Sequence, residues 1–232
     1  MDGYGGDQIR AAERPHLDAG EPLMQRAADG LAHIVGDLLD DPAVRPGDGP
    51  GSVLLLVGSG DNGGDALFAG ARLAAAGRHV AVLRVGSRVH EAGLAAALDA
   101  GARLLDDPAG PEAVVTDAAL DADLVLDAIL GIGVRGPAAL RSPAREVVDA
   151  VRELARDQRA PFVVAVDVPS GIDVDTGGIA DDHVLHADVT VTFGGVKAGL
   201  LTGPAATLAG RIELVDVGIG ADLATMEPLV RT

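Results

Sequence analysis

Short apolar runs alternate along this chain with longer stretches of helical spacing. Val53–Val57 (VLLLV) is too short for a helix and suits a strand buried on both faces. A glycine-rich corner follows, Gly58–Asp65 (GSGDNGGD), and the period then changes: Leu67, Ala71 and Ala74 recur at helical spacing, with Gly77 where a C-cap falls. The pattern predicts strand, phosphate-approach loop and helix. Downstream it predicts a strand at His79–Val85, a helix at His90–Ala100 ending at Gly101, a short strand at Ala102–Leu105 and a helix at Pro111–Ala119. Asp123–Ala128 is a strand that ends on an acid, and Ser142–Arg156 a helix with Ser142 as N-cap and Pro143 at the first helical position. Pro161–Val166 is another buried strand, Ala187–Phe193 an alternating one, and Arg211–Val217 closes the sheet.

Upstream, residues 1–18 are polar and weakly patterned, whereas Glu21–Leu39 carries Leu23, Ala27, Leu31, Ile34 and Leu38 on one side of a helix. Pro42, Pro46 and Pro50, interleaved with Gly47, Gly49 and Gly51, mark a loop leading into the first strand. Residues 1–50 therefore read as a helical arm packed on the domain. Strands alternating with helices predict a doubly wound α/β domain: a mostly parallel central sheet with helices on both faces, residues 1–232 forming a single unit.

Composition narrows the function. Apolar residues make up 48% of the chain, which excludes disorder, yet no run approaches the roughly 20 apolar residues of a membrane span. The N-terminus lacks the basic-then-apolar order of a signal peptide, and there is no cysteine, so a soluble cytoplasmic protein is expected. A formal charge of −17, no Trp, one Tyr and three Phe argue against nucleic-acid binding. A small anionic ligand would have to be received locally, by backbone N–H groups or a bound cation.

The polar residues fall where such a ligand would bind. Asn62, Asp127, Asp167 and Ser170 all lie at or just beyond the carboxyl ends of predicted strands, the ligand-binding edge of open α/β sheets. Gly58, Gly60 and Gly63 satisfy the dinucleotide fingerprint G-x-G-x-x-G, but Asp61 and Asp65 bring negative charge to the phosphate approach. Strand two also ends on Arg84, where a nicotinamide dehydrogenase carries an acid for the ribose. Asp65 reads equally as a helix N-cap or as a ligand contact. Asn62, Asp127 and Ser170 offer hard oxygen donors suited to an alkali or alkaline-earth cation; taken singly, Asp127 and Ser170 read as turn-stabilising residues. Lys197 is the only lysine, in a glycine-bounded loop after a buried strand, and its ammonium can be tuned by burial as a guanidinium cannot.

Four motifs in order, GSGDNGGD (58–65), DAILGIGVRGP (127–137), VDVPSGIDVDTG (166–177) and TFGGVKAG (192–199), make the chain resemble the NAD(P)H-hydrate epimerase family, the YjeF N-terminal domain. The arm segment GEPLMQRAA (20–28) is similar to a helix opening in that family. The resemblance implies a three-layer, Rossmann-like fold, a homodimer, and interconversion of the R and S hydrates of NADH and NADPH. It implies potassium held by Asn62, Asp127 and Ser170. Nucleotide contacts would come from Asp61, Asn62, Gly63, Gly64, Asp65, from Gly131, Ile132, Gly133, Val134, Arg135, Gly136, Pro137, and from Asp167. Asp61, Ile132 and Ala198 depart from the family's usual Asn, Thr and Pro. The chemistry needs proton transfer at the hydrate's C6 hydroxyl, for which Asp167 is the candidate catalytic group, with Lys197 assisting. A chain ending soon after its last predicted strand is expected to lack a fused dehydratase domain; the dehydratase is then either a separate partner or the remainder of a longer protein of which this sequence is a part. The competing readings are a non-catalytic nucleotide-binding scaffold of the same fold and an NAD-dependent dehydrogenase.

Overall fold

The first fifty residues build more than the single helix expected of them. The computed structural model describes residues 1–232 apart from Pro46, Pro108, Val134, Arg135, Pro137, Ala138, residues 157–160 and the side chains of 155 and 156. A two-residue strand, β1 (Asp2–Gly3), precedes helices α1 (Gly6–Asp18) and α2 (Leu23–Asp40). The weak patterning of residues 1–18 has a physical reason: only Gly6, Ile9 and Ala12 of α1 are buried, so no apolar stripe betrays the helix. Its N-terminal end is held by hydrogen bonds instead. The Gly5 N–H donates to Gln8 Oε1 at 2.9 Å and the Gly6 N–H to Asp175 Oδ1 at 2.7 Å.

Beyond the arm come β2 (Ser52–Val57), α3 (Asp61–Ala75), β3 (His79–Arg84), α4 (Glu91–Asp99) and β4 (Arg103–Leu105). They are followed by α5 (Val115–Leu120), β5 (Leu124–Ala128), α6 (Ala144–Arg156), β6 (Phe162–Val166), β7 (Val189–Phe193) and β8 (Arg211–Val215). A short helix, α7 (Gly220–Leu223), and a strand, β9 (Val230–Arg231), complete the order; β9 pairs antiparallel with β1, which the sequence pattern does not foretell. The main sheet has seven strands in the order β4-β3-β2-β5-β6-β7-β8, every pair parallel.

The period-2 pattern divides the core into two layers. Val53, Leu55 and Val57 of β2 face Leu31, Val35 and Leu39 of α2 and Leu67 of α3. Leu54 and Leu56 face the opposite side, with Val147, Val148 and Val151 of α6. Each fully buried leucine contributes about 2 kcal/mol of hydrophobic stabilisation. Three expectations are corrected here. Helix α6 starts at Ala144, after a cis Ser142–Pro143 bond, so Ser142 is not its N-cap and instead hydrogen-bonds Glu146 Oε1 at 2.5 Å. Strand β7 does not alternate between core and solvent: all five of its residues are buried, and Thr190 Oγ1 is satisfied by the Ala209 carbonyl at 2.6 Å. Strand β8 ends at Val215, two residues before the expected limit.

The chain runs outward from β2 to β4, then returns to β5 on the other flank of β2, which makes the carboxyl ends of β2 and β5 the switch point. Those ends are pressed together. The Gly58 N–H donates to the Ala128 carbonyl at 3.1 Å, and a Cβ on Gly58 would stand 1.9 Å from the Ile129 carbonyl oxygen. Gly58→Ala should therefore destabilise the protein by about 2 kcal/mol through overpacking, lowering the melting temperature by roughly 5 °C in a thermal scan. An unchanged melting temperature would show that the strand ends can part freely.

Candidate active site

The loop after β2 turns directly into α3, whose first turn is Asp61, Asn62, Gly63 and Gly64, with Gly60 at the N-cap. Asp65 is thus in the second turn and caps nothing, which corrects the capping alternative. Its carboxyl is 9% exposed, and burial pushes its pKa well above the usual carboxylate range. Negative charge on Asp167 and Asp61 adds to the effect, and Lys197 opposes it.

Asn62, Asp127 and Ser170 are brought together, as their order along the carboxyl edge suggests. Asp127, the penultimate residue of β5, is 0% exposed. Its Oδ1 accepts from the Ser170 hydroxyl at 2.5 Å and its Oδ2 from the Ser170 N–H at 2.9 Å. Burial raises its pKa while these hydrogen bonds lower it. Ser170 Oγ in turn accepts from the Leu130 N–H at 2.9 Å, and the Leu130 carbonyl accepts from Asn62 Nδ2 at 3.1 Å. One atom of this hydrogen-bonded chain is left over: Asn62 Oδ1 is buried and has no donor among the described residues. An orphaned acceptor costs about 1–3 kcal/mol, and a cation would relieve it.

The second constellation lies beyond β6 and β7. Asp167 follows β6 with φ +67°, the one positive φ among the described non-glycine residues. The turn swings its carboxylate toward β7: Oδ1 accepts from the Phe193 N–H at 3.2 Å and from the Lys197 ammonium. Lys197 is 1% exposed, and its Nζ also donates to the Phe193 carbonyl at 2.8 Å. Asn62 of the first constellation and Asp167 and Lys197 of the second line, with Asp65, a cavity of about 1670 Å³ that opens at the switch point; Asp127 and Ser170 lie behind Asn62 and do not line it.

Helix α1, unread in the sequence, supplies another wall. Arg10 Nη1 donates to the Ile132 carbonyl at 2.7 Å and so fastens the loop after β5, while Glu13 lines the same cavity. Burial raises the Glu13 pKa against the lowering influence of Lys197. The signal for these two was their i, i+3 spacing, which no apolar stripe accompanied. Of the expected loop contacts, Ile132 lines the cavity with Gly131 and Gly133, Gly136 is not among its lining residues, and Val134, Arg135 and Pro137 lie outside the described residues.

The sequence model for YjeF-related protein N-terminus matches residues 20–199. The chain belongs to that family. The YjeF-related match contains every residue of both constellations and begins after α1, so Arg10 and Glu13 lie outside the matched range. A Clavibacter michiganensis NAD(P)H-hydrate epimerase is 49% identical, covering 99% of this chain and 95% of its own length. Another from Microbacterium testaceum is 47% identical over 98% of this chain and 82% of its own. A bifunctional NAD(P)H-hydrate repair enzyme Nnr from Mycobacterium tuberculosis is 44% identical and covers 97% of this chain and 43% of its own. The crystal structure of yeast ynu0, YNL200c, has the same fold, with a TM-score of 0.70 at 20% identity over 86% of this chain and 83% of its own.

Asp65 makes the electrostatics of this YjeF-related site measurable. A carboxyl whose folded-state pKa is raised holds its proton more tightly folded than unfolded. Its stabilising contribution is complete below the unfolded carboxylate range and is lost as pH climbs through the folded value. Asp65→Asn removes that loss. Urea midpoints of variant and parent should nearly coincide near pH 4 and separate in the variant's favour toward pH 8; a gap that narrows with rising pH would refute the assignment.

Proposed function

We propose that the protein is an NAD(P)H-hydrate epimerase, an isomerase that interconverts the R and S epimers of NADHX and NADPHX. The observation that carries this reading is the Lys197–Asp167 pair, buried at the border of a cavity on the switch-point edge. The names borne by relatives 47–49% identical along nearly the whole chain point the same way. A scaffold that merely holds a nucleotide has no use for a buried ion pair, whose desolvation is costly.

The hydrate carries its C6 hydroxyl beside the ring nitrogen. In this mechanism the proton held by the Lys197–Asp167 pair passes through Asp167 to that oxygen, with Lys197 as the second acid–base group that supplies it. The nitrogen lone pair then expels water as the C6–O bond breaks. Water adds to the opposite face, a new C6–O bond forms, and the proton returns to the pair. No electrons are transferred, and the centre is inverted. The segments 61–65 and 131–137, with Asp167, hold the nucleotide, and the N–H groups opening α3 face its phosphates. Arg10 holds the second of these segments through Ile132.

Asn62, Asp127 and Ser170 are proposed to hold potassium. Their oxygen donors, the orphaned Asn62 Oδ1 above all, fit a hard monovalent cation. When bound it supplies positive charge that offsets the phosphates near Asp61 and Asp65. Homodimeric assembly, a cytoplasmic setting and cooperation with a separate NAD(P)H-hydrate dehydratase belong to the same reading. No helix among the described residues is long and apolar enough to cross a membrane.

Chiral separation of NADHX epimers with and without the protein tests the activity. Asp167→Asn should lower the epimerisation rate by at least about 10²-fold, the scale of lost acid–base catalysis. The variant should still fold, because Asn tolerates positive φ, with a lowered melting temperature because the buried Lys197 ammonium loses its counter-charge. Full activity in that variant would remove Asp167 from the mechanism. Potassium should raise the melting temperature above its value in sodium, and Asn62→Ala should abolish that difference; a cation response that survives the substitution would move the cation elsewhere.

A further inference from the structure

The cavity has a second end, far from Lys197. The turn after β3, Val85–Arg88, lines it on the other flank of the switch point. Strands lie about 4.8 Å apart, so β3 and β6, three intervals from one another, place this turn roughly 14 Å from the Asp167 edge. A dinucleotide whose nicotinamide meets Asp167 and whose pyrophosphate meets the start of α3 extends its adenosine ribose toward β3. In doubly wound folds that is where the second ribose hydroxyl is inspected, by an acid when it is free and by an arginine when it is phosphorylated.

No acid occupies the position here. Arg84 ends β3, but it pairs with Asp106 at 3.5 Å and does not line the cavity. Arg88 does line it, is exposed, and has no side-chain partner among the described residues. Ser87 beside it adds a hydroxyl to the same wall. The turn is tied to the glycine corner. The Arg88 N–H donates to Ser59 Oγ at 3.2 Å, and a Cβ on Gly86 would stand 2.2 Å from that oxygen, so only glycine fits. A free guanidinium is thereby held at a fixed offset from the phosphate-receiving end of α3.

We propose that Ser87 and Arg88 bind the 2′-phosphate of a phosphorylated adenosine ribose and bias the enzyme toward NADPHX over NADHX. The proposal rests on the epimerase reading and specifies its substrate. The guanidinium presents a planar fork to the phosphate oxygens, and a charge-assisted contact of this kind is worth about 10- to 100-fold in affinity. Arg88 is exposed, so truncating it leaves the core intact.

Calorimetric titration with 2′,5′-ADP and with 5′-AMP, which differ by the 2′-phosphate, tests the site without any turnover. The native protein should bind 2′,5′-ADP at least about tenfold more tightly. Arg88→Ala should erase the preference, and Arg84→Ala should keep it. The kcat/KM ratio of NADPHX to NADHX should fall by a similar factor in Arg88→Ala, through KM. Equal binding of the two probes by the native protein, a preference that survives in Arg88→Ala, or one lost only in Arg141→Ala across the cavity would each overturn the assignment. Epimerisation of both hydrates at equal efficiency would sink this inference alone. Absence of turnover with either hydrate, the probe preference being intact, would sink the epimerase reading and leave the phosphate site standing.

Discussion

The chain's one lysine is enclosed by parts of the molecule that are remote in sequence. Lys197 is 1% exposed, and removing an ammonium from water costs several kcal/mol unless partners replace the solvent. Asp167 and the Phe193 carbonyl are those partners. Asp167 reaches its place through a positive φ that costs roughly 1–2 kcal/mol in an L-residue. The backbone flanking the lysine is clamped as well: Tyr4 bonds to both neighbours, accepting from the Ala198 N–H and donating to the Val196 carbonyl, each at 2.8 Å. The arm is thus part of the wall that keeps water from the ion pair.

Around that pair the carboxyls outnumber the cations. Glu13, Asp61 and Asp65 line the cavity along with Asp167, against Lys197 and Arg10 on the same side. Such a surplus would repel a pyrophosphate if every acid were ionised. Burial eases the conflict by raising the pKa of Asp65 and Glu13, and the proposed cation beside Asp127 eases it further. A protein with a formal charge of −17 can then receive an anion at one place without a basic surface.

The sheet was legible because parallel strands buried on both faces leave unbroken apolar runs, and β2, β5 and β6 fall within a residue or two of where those runs lie. The clustering of Asn62, Asp127 and Ser170 followed from topology, since each sits at or just beyond a strand's carboxyl end. What escaped was held by contacts distant in sequence. Helix α1 depends on Asp175, and β1 depends on β9, neither of which leaves a local pattern. Asp65 resembled a cap because Asp is a favoured capping residue, but Gly60 takes the position, since the turn into α3 begins at the glycines. Thr190 and Thr192 mimicked a half-exposed strand, although their hydroxyls find partners inside the protein.

The pairing of β1 with β9 gives the molecule a seam. Tyr4 follows β1 immediately, so the strand that steadies the lysine loop is itself steadied by residues near 230. The chamber around the Lys197 ammonium is thus closed by contacts that join residues 2–4 both to residues near 230 and to the lysine loop. Loss of that seam would let water reach a buried ion pair from the side of the arm, although β1 and β9 hold neither of its charges.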